Sequence, residues 1–379
     1  MAAPKAFHLG THRTRTPQQT WAWVRPHFPR LGITRIADLT RLDHLGIPVY
    51  QAVRPASRNL SVSQGKGATA WAAKISAVME AAELWHAESL DVGAIPGERA
   101  VLSPRELAPA NPIPLDSLPW RYPPGPLMGT AFEWLAVDSP LGGRRGWLPR
   151  AMLELDLYSP TVLTPRPWRQ TSNGLASGND REEALLHGLC ELVERHALAR
   201  VRHTPALRRP LDPDSVEGPA PRAAVERIRA AGWRLALHDI TGDLGIPVAM
   251  AALAAPDLPG VWHGSGCHPN PDVALSRALT EAAQTRLTFI AGTRDDIQIP
   301  DDPADGVDTF GAFQVPAGGA AANTLPDLST ATVADDLTAV LGRFADHGLE
   351  VYSLDLTRPG LGIPVVRAFS PDLQEAYYG

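Results

Sequence analysis

Three segments of the chain place polar side chains at positions i, i+4 and i+7. The three sets are Ser76, Glu80 and Glu83; His187, Glu191 and Glu194; and Arg277, Glu281 and Gln284. On an α-helix this spacing aligns three side chains along one stripe. The neighbouring positions on each predicted helix are small or apolar, so the glutamates are expected inside the protein, where they need a counter-charge. Divalent cations bound to carboxylates supply such a charge, and this pattern predicts magnesium–phosphate chemistry.

Glycine-rich segments precede these helices, at residues 63–67, 171–179 and 264–268. A glycine-rich loop that leads into a helix can offer backbone N–H groups to phosphate oxygens. Lys66 lies within the first segment and, with Arg277 and Arg286, is a candidate for direct phosphate contact. The residue order is not that of a P-loop, so the sequence predicts an ATP site of another kind.

Several of these residues also have an ordinary structural interpretation. Lys66 can be a surface lysine in a loop, and Arg286 can end its helix, where cations are favoured. Ser76 can be a small packing residue, and His187 a hydrogen-bonded histidine of the core. The helical register shared by three segments favours the functional interpretation for the acids as a group.

Four further residues could take part in chemistry outside these stripes. Cys190 lies between apolar neighbours and is predicted to be inert core, whereas Cys267 is a candidate nucleophile without a visible base. His12 and His268 are candidates for proton transfer.

Composition limits the function classes. The 379 residues carry a net charge of −6 and no basic run, which argues against nucleic acid or an anionic membrane as the main partner. No signal peptide and no apolar run long enough to span a bilayer is visible, so we expect a cytoplasmic protein. The two cysteines cannot form a disulfide framework, which agrees with a reducing compartment.

A strand–turn–strand pattern repeats three times beside the acidic helices. The copies occupy residues 33–40 with 45–49, 233–241 with 244–248, and 351–357 with 361–365, and each second half reads Leu-Gly-Ile-Pro-Val. We interpret each copy as a β-hairpin. The repeated unit is then strand, strand, glycine loop and acidic helix. A further hairpin is predicted from residues 132–137 and 146–148. The predicted fold class is α+β, with antiparallel sheets and helices packed on one side.

The predicted organisation is an N-terminal helical segment, residues 1–31, followed by one catalytic domain, residues 32–379. Proline-rich connections are expected near residues 92–128, 205–222 and 300–327. Residues 306–325 could be a lid or a peptide-binding flap, and a surface loop is an equally good interpretation.

The motifs together resemble those of the YcaO family. The resemblance rests on residues 63–83, on residues 172–195 and on residues 278–286, and the overall likeness runs from about residue 32 to residue 371. It implies a YcaO-type fold and ATP-dependent activation of a peptide backbone amide. In that reaction the amide oxygen receives a phosphoryl group, a nucleophile adds at the amide carbon, and phosphate leaves.

The resemblance also implies roles for individual residues. The implied nucleotide and phosphate contacts are Lys66, Ser76, Glu80, Glu183, His187 and Arg286. The implied Mg2+ ligands are Glu83, Glu191, Glu194 and Glu281, and the third helix is expected to contribute fewer ligands because its stripe ends in Gln284. No catalytic residue beyond these is assigned.

Two departures from the family pattern bear on the reaction. Leu84 stands where the first motif often has an arginine, and the chain ends in Glu-Ala-Tyr-Tyr-Gly rather than in the Pro-x-Pro-x-Pro tail typical of azoline-forming cyclodehydratases. The opening residues 10–13, Gly-Thr-His-Arg, resemble the subgroup that works with TfuA-type proteins and is associated with thioamide formation.

The leading hypothesis is thioamide formation on a peptide with a TfuA-like partner. The alternatives are azoline formation from Cys, Ser or Thr, with a leader-binding partner, and a non-catalytic ATP-binding accessory protein. About thirty residues precede residue 32, which we expect to be too few for a leader-binding domain. A homodimer is a further expected form of assembly.

Overall fold

The structure is a computed structural model that describes residues 4–88, 90, 95, 97–156, 167–257, 260–294, 315–316 and 318–375. Within these ranges the α-helices are α1 (Pro17–Val24), α2 (Phe28–Leu31), α3 (Ala70–Glu88), α4 (Pro104–Leu107), α5 (Arg150–Leu153), α6 (Arg181–His203), α7 (Pro219–Ala230), α8 (Pro271–Ala291) and α9 (Val333–Asp346). The three predicted acidic helices are α3, α6 and α8.

The strands in the same ranges are β1 (Arg35–Asp38), β2 (Val49–Val53), β3 (Val62–Lys66), β4 (Arg99–Leu102), β5 (Phe132–Asp138), β6 (Arg145–Pro149), β7 (Leu175–Ser177), β8 (Arg209–Leu211), β9 (Arg234–Asp239), β10 (Val248–Ala254), β11 (Trp262–Cys267), β12 (Tyr352–Asp355) and β13 (Val365–Phe369). All pairings between these strands are antiparallel, which confirms the predicted α+β class. The hairpin predicted around residues 132–148 is β5 and β6.

Three sheets each end in an edge strand that precedes an acidic helix. Their strand orders are β1-β2-β3, β11-β10-β9-β8 and β4-β5-β12-β13-β7, and β6 pairs with β5 outside this last order. Helix α3 packs on β2 and β3, α8 on β10 and β11, and α6 on β13 and β7. The edge strands β3, β7 and β11 are therefore each linked to the helix that follows them directly in sequence.

The repeated Leu-Gly-Ile-Pro-Val sequences are turns rather than strands. Strands β2, β10 and β13 begin only at the final valine of each repeat, so the hairpins are confirmed but their second strands start later than expected. The glycine of each repeat, Gly46, Gly245 and Gly362, has a φ of 63–65°. A left-handed conformation of this kind is readily available only to glycine, which accounts for the repetition.

The predicted glycine loops are wrong at two of the three sites, and the third, residues 171–179, contains strand β7 (Leu175–Ser177). Residues 63–66 belong to β3, and residues 264–267 belong to β11. A Cβ atom on Gly65 would lie 2.0 Å from the backbone nitrogen of Ala77, and one on Gly264 would lie 2.2 Å from that of Ala282. The glycines therefore allow the edge strand and its helix to approach closely. Because this packing also requires glycines, the sequence looks like that of a phosphate-binding loop.

The middle unit is completed by the C-terminal hairpin. Strand β7 pairs with β13 through Val365 opposite Ser177 and Val366 opposite Ala176. The sequence shows one helix without its hairpin and one hairpin without its helix, and the structure joins the two. The side chain of Asp180 caps the N-terminus of α6, and that of Asn270 caps the N-terminus of α8.

The proline-rich connections contain more regular structure than expected. Residues 205–222 include β8 and the first turn of α7, and residues 97–128 include β4 and α4. Half of the suggested flap, residues 306–314 and 317, lies outside the described residues. Residues 17–31 are largely helical, and the proposed boundary at residue 32 stays a prediction. No helix among the described residues is long and apolar enough to cross a membrane.

The close approach of β3 to α3 predicts a large effect of a single methyl group. Gly65→Ala should lower the free energy of unfolding by about 3 kcal/mol or more, because the new Cβ would overlap helix backbone that cannot move independently. The matched control is Gly342→Ala in α9, where nothing lies within 4 Å of the added atom and alanine favours the helix. Urea unfolding of both variants measures the difference, and equal stability of Gly65→Ala and the parent would contradict the packing role.

Candidate functional site

One cavity collects the residues of all three stripes. It has a volume of about 450 Å3 and lies where α3, α6 and α8 meet the edges β3, β7 and β11. Nine of the ten predicted site residues line it: Lys66, Ser76, Glu80, Glu83, Glu183, His187, Glu191, Glu194 and Glu281. The tenth, Arg286, is not among the lining residues.

Two glutamates of α3 bind backbone N–H groups of edge strands. Glu80 Oε2 accepts a hydrogen bond from the Gln64 N–H of β3 at 2.7 Å. Glu83 Oε1 accepts two hydrogen bonds from Ser177 of β7, from its N–H at 2.8 Å and from its hydroxyl at 2.7 Å. Among the described contacts, Oε1 of Glu80 and Oε2 of Glu83 receive no hydrogen bond. Each carboxylate is thus held at one oxygen and offers the other to the cavity.

Glu194 of α6 is bound to the third edge strand, but through both oxygens. Its Oε1 accepts from the Ser265 hydroxyl at 2.8 Å, and its Oε2 accepts from the Cys267 N–H at 3.0 Å. The carboxylate is 5% exposed. Glu194 therefore has less free coordinating capacity than Glu83, and it fixes α6 against β11 as well as lining the cavity.

Two basic side chains enter the cavity as predicted and contact partners within it. The Lys66 ammonium, at the end of β3, donates to Glu281 Oε2 of α8. Arg277 Nη2, at the head of the third stripe, donates to His187 Nε2 at 2.9 Å. Burial, followed by the charge of Arg277, holds the pKa of His187 well below its usual range. His187 is therefore a neutral acceptor here.

Burial disfavours the ionised form of two of the acids, Glu83 and Glu191. Burial raises the pKa of Glu83 to about 8, and the charges of Glu80 and Glu191 add to the effect. Burial likewise raises the pKa of Glu191 to about 7, with Glu194 contributing. Glu281 is the exception, because the Lys66 ammonium lowers its pKa against the effect of burial. This electrostatic situation fits a site that binds divalent cations, since cations would restore the ionised state.

Glu183 lies at the cavity wall but is strongly bound by this chain itself. It accepts from Arg13 Nη1 at 3.2 Å, from the Thr14 N–H at 2.9 Å and from Asn179 Nδ2 at 2.9 Å. Residues 7–15 thereby pass over the cavity, and several of them line it. The structure thus shows an anchor for the N-terminal segment at Glu183, whereas a nucleotide contact stays a prediction.

Arg286 is a correction to the predicted phosphate contacts. Glu281 and Arg286 are five residues apart on α8, which places them about 140° apart around the helix axis. The Arg286 guanidinium is 2% exposed, lies 3.6 Å from Asp43 and 2.9 Å from Asp257, and stacks 4.4 Å from the ring of Trp233. It ties α8 to the neighbouring loops instead of reaching the cavity.

Sequence reasoning missed four arginines of the cavity wall. They are Arg13, Arg15, Arg195 and Arg294. Arg195 follows Glu194 within the quoted motif, so its position was visible in the sequence. Arg13 and Arg15 belong to the N-terminal segment, whose path over the cavity has no periodic signal.

The candidates outside the stripes are buried or half-buried, and burial favours the neutral forms of Cys267, His12 and His268. Cys190 and Cys267 are both buried, and burial with the neighbouring Cys190 thiol raises the pKa of Cys267 well above its usual value. Burial, with the adjacent Lys5, lowers the pKa of His12 to about 4. Burial also keeps the pKa of His268 well below its usual range. A thiolate nucleophile at Cys267 is therefore disfavoured.

Comparison with known proteins decides the family. Residues 64–374 match the family model described as YcaO cyclodehydratase, ATP- and Mg2+-binding. The chain belongs to the YcaO family. The ATP and Mg2+ predicted from the acidic stripes are the cofactors of this family, and the cavity of this YcaO protein has the carboxylates, lysine and arginine that such cofactors require.

Relatives and solved structures agree with this assignment. A protein of Rhizobium leguminosarum bv. trifolii, described as an uncharacterized protein in the tfuA 3′ region, is 41% identical over 295 residues, covering 75% of this chain and 69% of that protein. The structure of a heterocyclase in complex with substrate and cofactor has a TM-score of 0.76 at 24% identity, over 99% of this chain and 54% of that one.

The YcaO protein of Methanopyrus kandleri, solved with AMPPCP and Mg2+, has a TM-score of 0.75 at 24% identity over 98% of this chain and 95% of its own. At this level of identity, both structural matches establish the fold. The chain spans 65–69% of the length of several curated relatives that it matches.

The raised pKa values predict that cation binding is linked to proton release. At pH 7, without cations, Glu83 is mainly protonated and Glu191 is about half protonated. Bound Mg2+ requires both ionised, so the affinity for Mg-AMPPCP should rise from about pH 6 to about pH 9, with protons released. Calorimetry at pH 7 in two buffers of different ionisation enthalpy measures this release, and Glu83→Gln should reduce it.

The same pKa shifts fix the sign of the pH dependence of stability. These carboxyls bind protons more tightly in the folded state than in the unfolded state. The cation-free protein should therefore lose stability as pH rises from about 4.5 through 8. A binding heat that is the same in both buffers, together with flat stability over this range, would show that the acids are already ionised.

The positions of Lys66 and Arg286 predict opposite variant phenotypes. Lys66→Ala should weaken Mg-ATP binding about tenfold or more, through loss of a charge-assisted contact, with little change in melting temperature. Arg286→Met should lower the free energy of unfolding by about 3 kcal/mol, because Asp43 is left buried without its partner, and should leave the affinity unchanged. The matched lysine control is Lys74→Ala, because the ammonium group of Lys74 lies over the ring of Trp71. Loss of affinity in Arg286→Met at unchanged stability would reverse this assignment.

Proposed function

We propose that this YcaO protein activates a backbone amide of a peptide with Mg-ATP and replaces the amide oxygen by sulfur, with a TfuA-like protein as partner. The observation that carries the proposal is the single cavity in which carboxylates from three helices meet Lys66 and Arg277. Such a cavity can hold several cations together with phosphate oxygens, and the rest of its wall remains for a peptide.

The residues of the cavity would have distinct roles in binding the cations, the nucleotide and the peptide. Glu80, Glu83, Glu191 and Glu281 each keep carboxylate oxygens available for Mg2+ in the described contacts. Lys66, released from Glu281 when a cation takes over that carboxylate, would contact phosphate oxygens. ATP supplies the phosphoryl group that converts the amide oxygen into a leaving group. The chain would bind and orient the reacting groups and keep water away from them.

The proposed reaction balances without a redox step. The amide oxygen attacks the γ-phosphorus and ADP leaves, and a hydrosulfide equivalent then adds to the activated carbon. The C–O bond breaks, so phosphate leaves with the original amide oxygen, and the thioamide remains after loss of a proton. The sulfur donor is a co-reactant at the oxidation level of sulfide, delivered by the partner.

Thioamide formation is favoured by the relative encoded in a tfuA 3′ region, at 41% identity. The second candidate is azoline formation, in which a Cys, Ser or Thr side chain of the peptide attacks the same activated carbon. It is favoured by the family description as cyclodehydratase and by the fold shared with a heterocyclase. Both candidates use the same activation step, so the ATP site does not distinguish them.

A peptide with 18O in its backbone amides tests the activation step. The protein is incubated with Mg-ATP, a TfuA-like partner, sulfide and a peptide encoded beside its gene. We expect 18O in the released phosphate and an oxygen-to-sulfur mass gain in the peptide. Loss of one water, with 18O in phosphate, indicates azoline formation instead.

The control pair for this experiment is Glu83→Gln and Glu182→Gln. Glu83 lines the cavity, whereas Glu182 is an exposed acid in the first turn of the neighbouring helix α6. We expect at least a hundredfold slower phosphate release for the first variant, by loss of a charged ligand, and no change for the second. Released phosphate without 18O would mean that water, and not the peptide amide, accepts the phosphoryl group, so that ATP is hydrolysed without amide activation. ATP binding with no phosphate release would mean a non-catalytic accessory protein.

A further inference from the structure

Two glutamines at one corner of the cavity have unsatisfied polar atoms. Gln64 of β3 and Gln284 of α8 both line the cavity, and Gln64 is only 3% exposed. Within the described part of the chain, Gln64 Nε2 and Gln284 Oε1 have no hydrogen-bond partner. Buried amide groups are normally hydrogen-bonded, so an unpaired donor beside an unpaired acceptor requires an explanation.

The remaining polar atoms of the two amides, Gln284 Nε2 and Gln64 Oε1, are hydrogen-bonded to each other, and Gln64 Oε1 is also bound to Thr288 of α8. Gln284 Nε2 donates to Gln64 Oε1 at 3.4 Å, and the Thr288 hydroxyl also donates to Gln64 Oε1. These contacts fix the two side chains side by side. Exchanging oxygen and nitrogen in both amides would reverse the polarity of the pair, and one NH2 group and one carbonyl would still be unpaired. The corner therefore holds one unpaired donor and one unpaired acceptor in either arrangement, both in the wall of the cavity.

We propose that the Gln64–Gln284 pair is the subsite that recognises the backbone of the substrate peptide, a proposal that rests on the proposed function. In an extended chain, the N–H and the C=O of one residue point to the same side, as they do in a β-bridge. The unpaired amide groups of Gln64 and Gln284 complement such a residue, and they contact no side chain of the peptide. Recognition of this kind tolerates many peptide sequences.

The position of the pair favours a peptide over the nucleotide base, whose edge also carries a donor and an acceptor. The N–H of Gln64 is bound by Glu80, and Gln284 lies three residues after Glu281 on α8. The corner thus adjoins the acids and Lys66 that are proposed to hold cations and phosphates. The amide oxygen must reach the γ-phosphorus, whereas adenine is separated from it by ribose and two further phosphates.

The two side chains would act as positioning residues for the reacting amide. Holding the adjacent residue of the peptide in an extended conformation restricts the orientation of the next amide bond, which lowers the entropy lost on reaching the transition state. Removing either glutamine should therefore affect peptide binding without affecting the nucleotide.

Nuclear magnetic resonance of protein labelled with 15N-glutamine tests the subsite directly. The probe is N-acetylalanine N-methylamide, added to the protein saturated with Mg-AMPPCP. We expect the side-chain NH2 signals of Gln64 and Gln284 to shift with the probe. The N-methylated analogue, N-acetyl-N-methylalanine N-methylamide, lacks the central N–H and should need about fivefold higher concentration for the same shift, as expected for one hydrogen bond.

The matched control is Gln51, which lies directly opposite Gln64 in the pairing of β2 with β3. It is equally buried, but its Nε2 donates to the Thr293 hydroxyl at 2.6 Å and it does not line the cavity. Its NH2 signal should not respond to the probe. Gln284→Met should raise the probe concentration for the half-maximal shift of Gln64 about fivefold, whereas Gln51→Met should not. Gln284 is half-buried on a helix surface, so this variant is expected to fold even if Gln64→Met does not.

The outcomes separate this proposal from the proposed function. If Mg-AMPPCP binds but neither glutamine responds to the probe, the subsite is overturned and the ATP site stands. A second outcome would also overturn the subsite. If the Gln64 signal shifts with Mg-AMPPCP but not with Mg-tripolyphosphate, and does not respond to the probe, the corner binds adenine instead of the peptide. Failure of Mg-AMPPCP to bind at all contradicts the proposed function instead.

Discussion

The hydrogen bonds between helix glutamates and edge-strand N–H groups determine most of this architecture. An edge strand has backbone groups without strand partners, and a carboxylate inside a protein has lost its water. Here the two groups satisfy each other. The backbone N–H groups of Gln64, Ser177 and Cys267 donate hydrogen bonds to the carboxylates of Glu80, Glu83 and Glu194, respectively. The same bonds orient the carboxylates, so the strands that would otherwise be open edges become the scaffold of the site.

These contacts are also arranged cyclically. The last stripe residue of α3 binds β7, that of α6 binds β11, and Gln284 of α8 contacts Gln64 of β3. Each helix thus packs on the edge strand of its own unit and contacts that of the next unit. Three units of unequal sequence consequently surround one cavity, and a change in any one of them alters its neighbour.

The sequence was most informative where geometry is periodic. The i, i+4, i+7 spacing identified three buried helices and nine of the cavity residues, because a helix converts spacing directly into a shared face. It was misleading for the glycines, because a tight strand–helix contact and a phosphate loop both require residues without a side chain. Arg286 was misassigned because a motif places a residue in sequence but does not say which side of the helix faces the cavity. Arg13 and Arg294 have irregular surroundings and no comparable signal.

The pairing of β7 with β13 has a consequence for the order of synthesis. Ser177 lies opposite Val365, so the strand that orients Glu83 gains its partner only after residue 365 has been synthesised. The two strands are far apart in sequence, and pairings of this kind form slowly. A nascent chain that already contains α3, α6 and α8 therefore still lacks the strand partner of β7, and the cavity can be completed only once β13 is available.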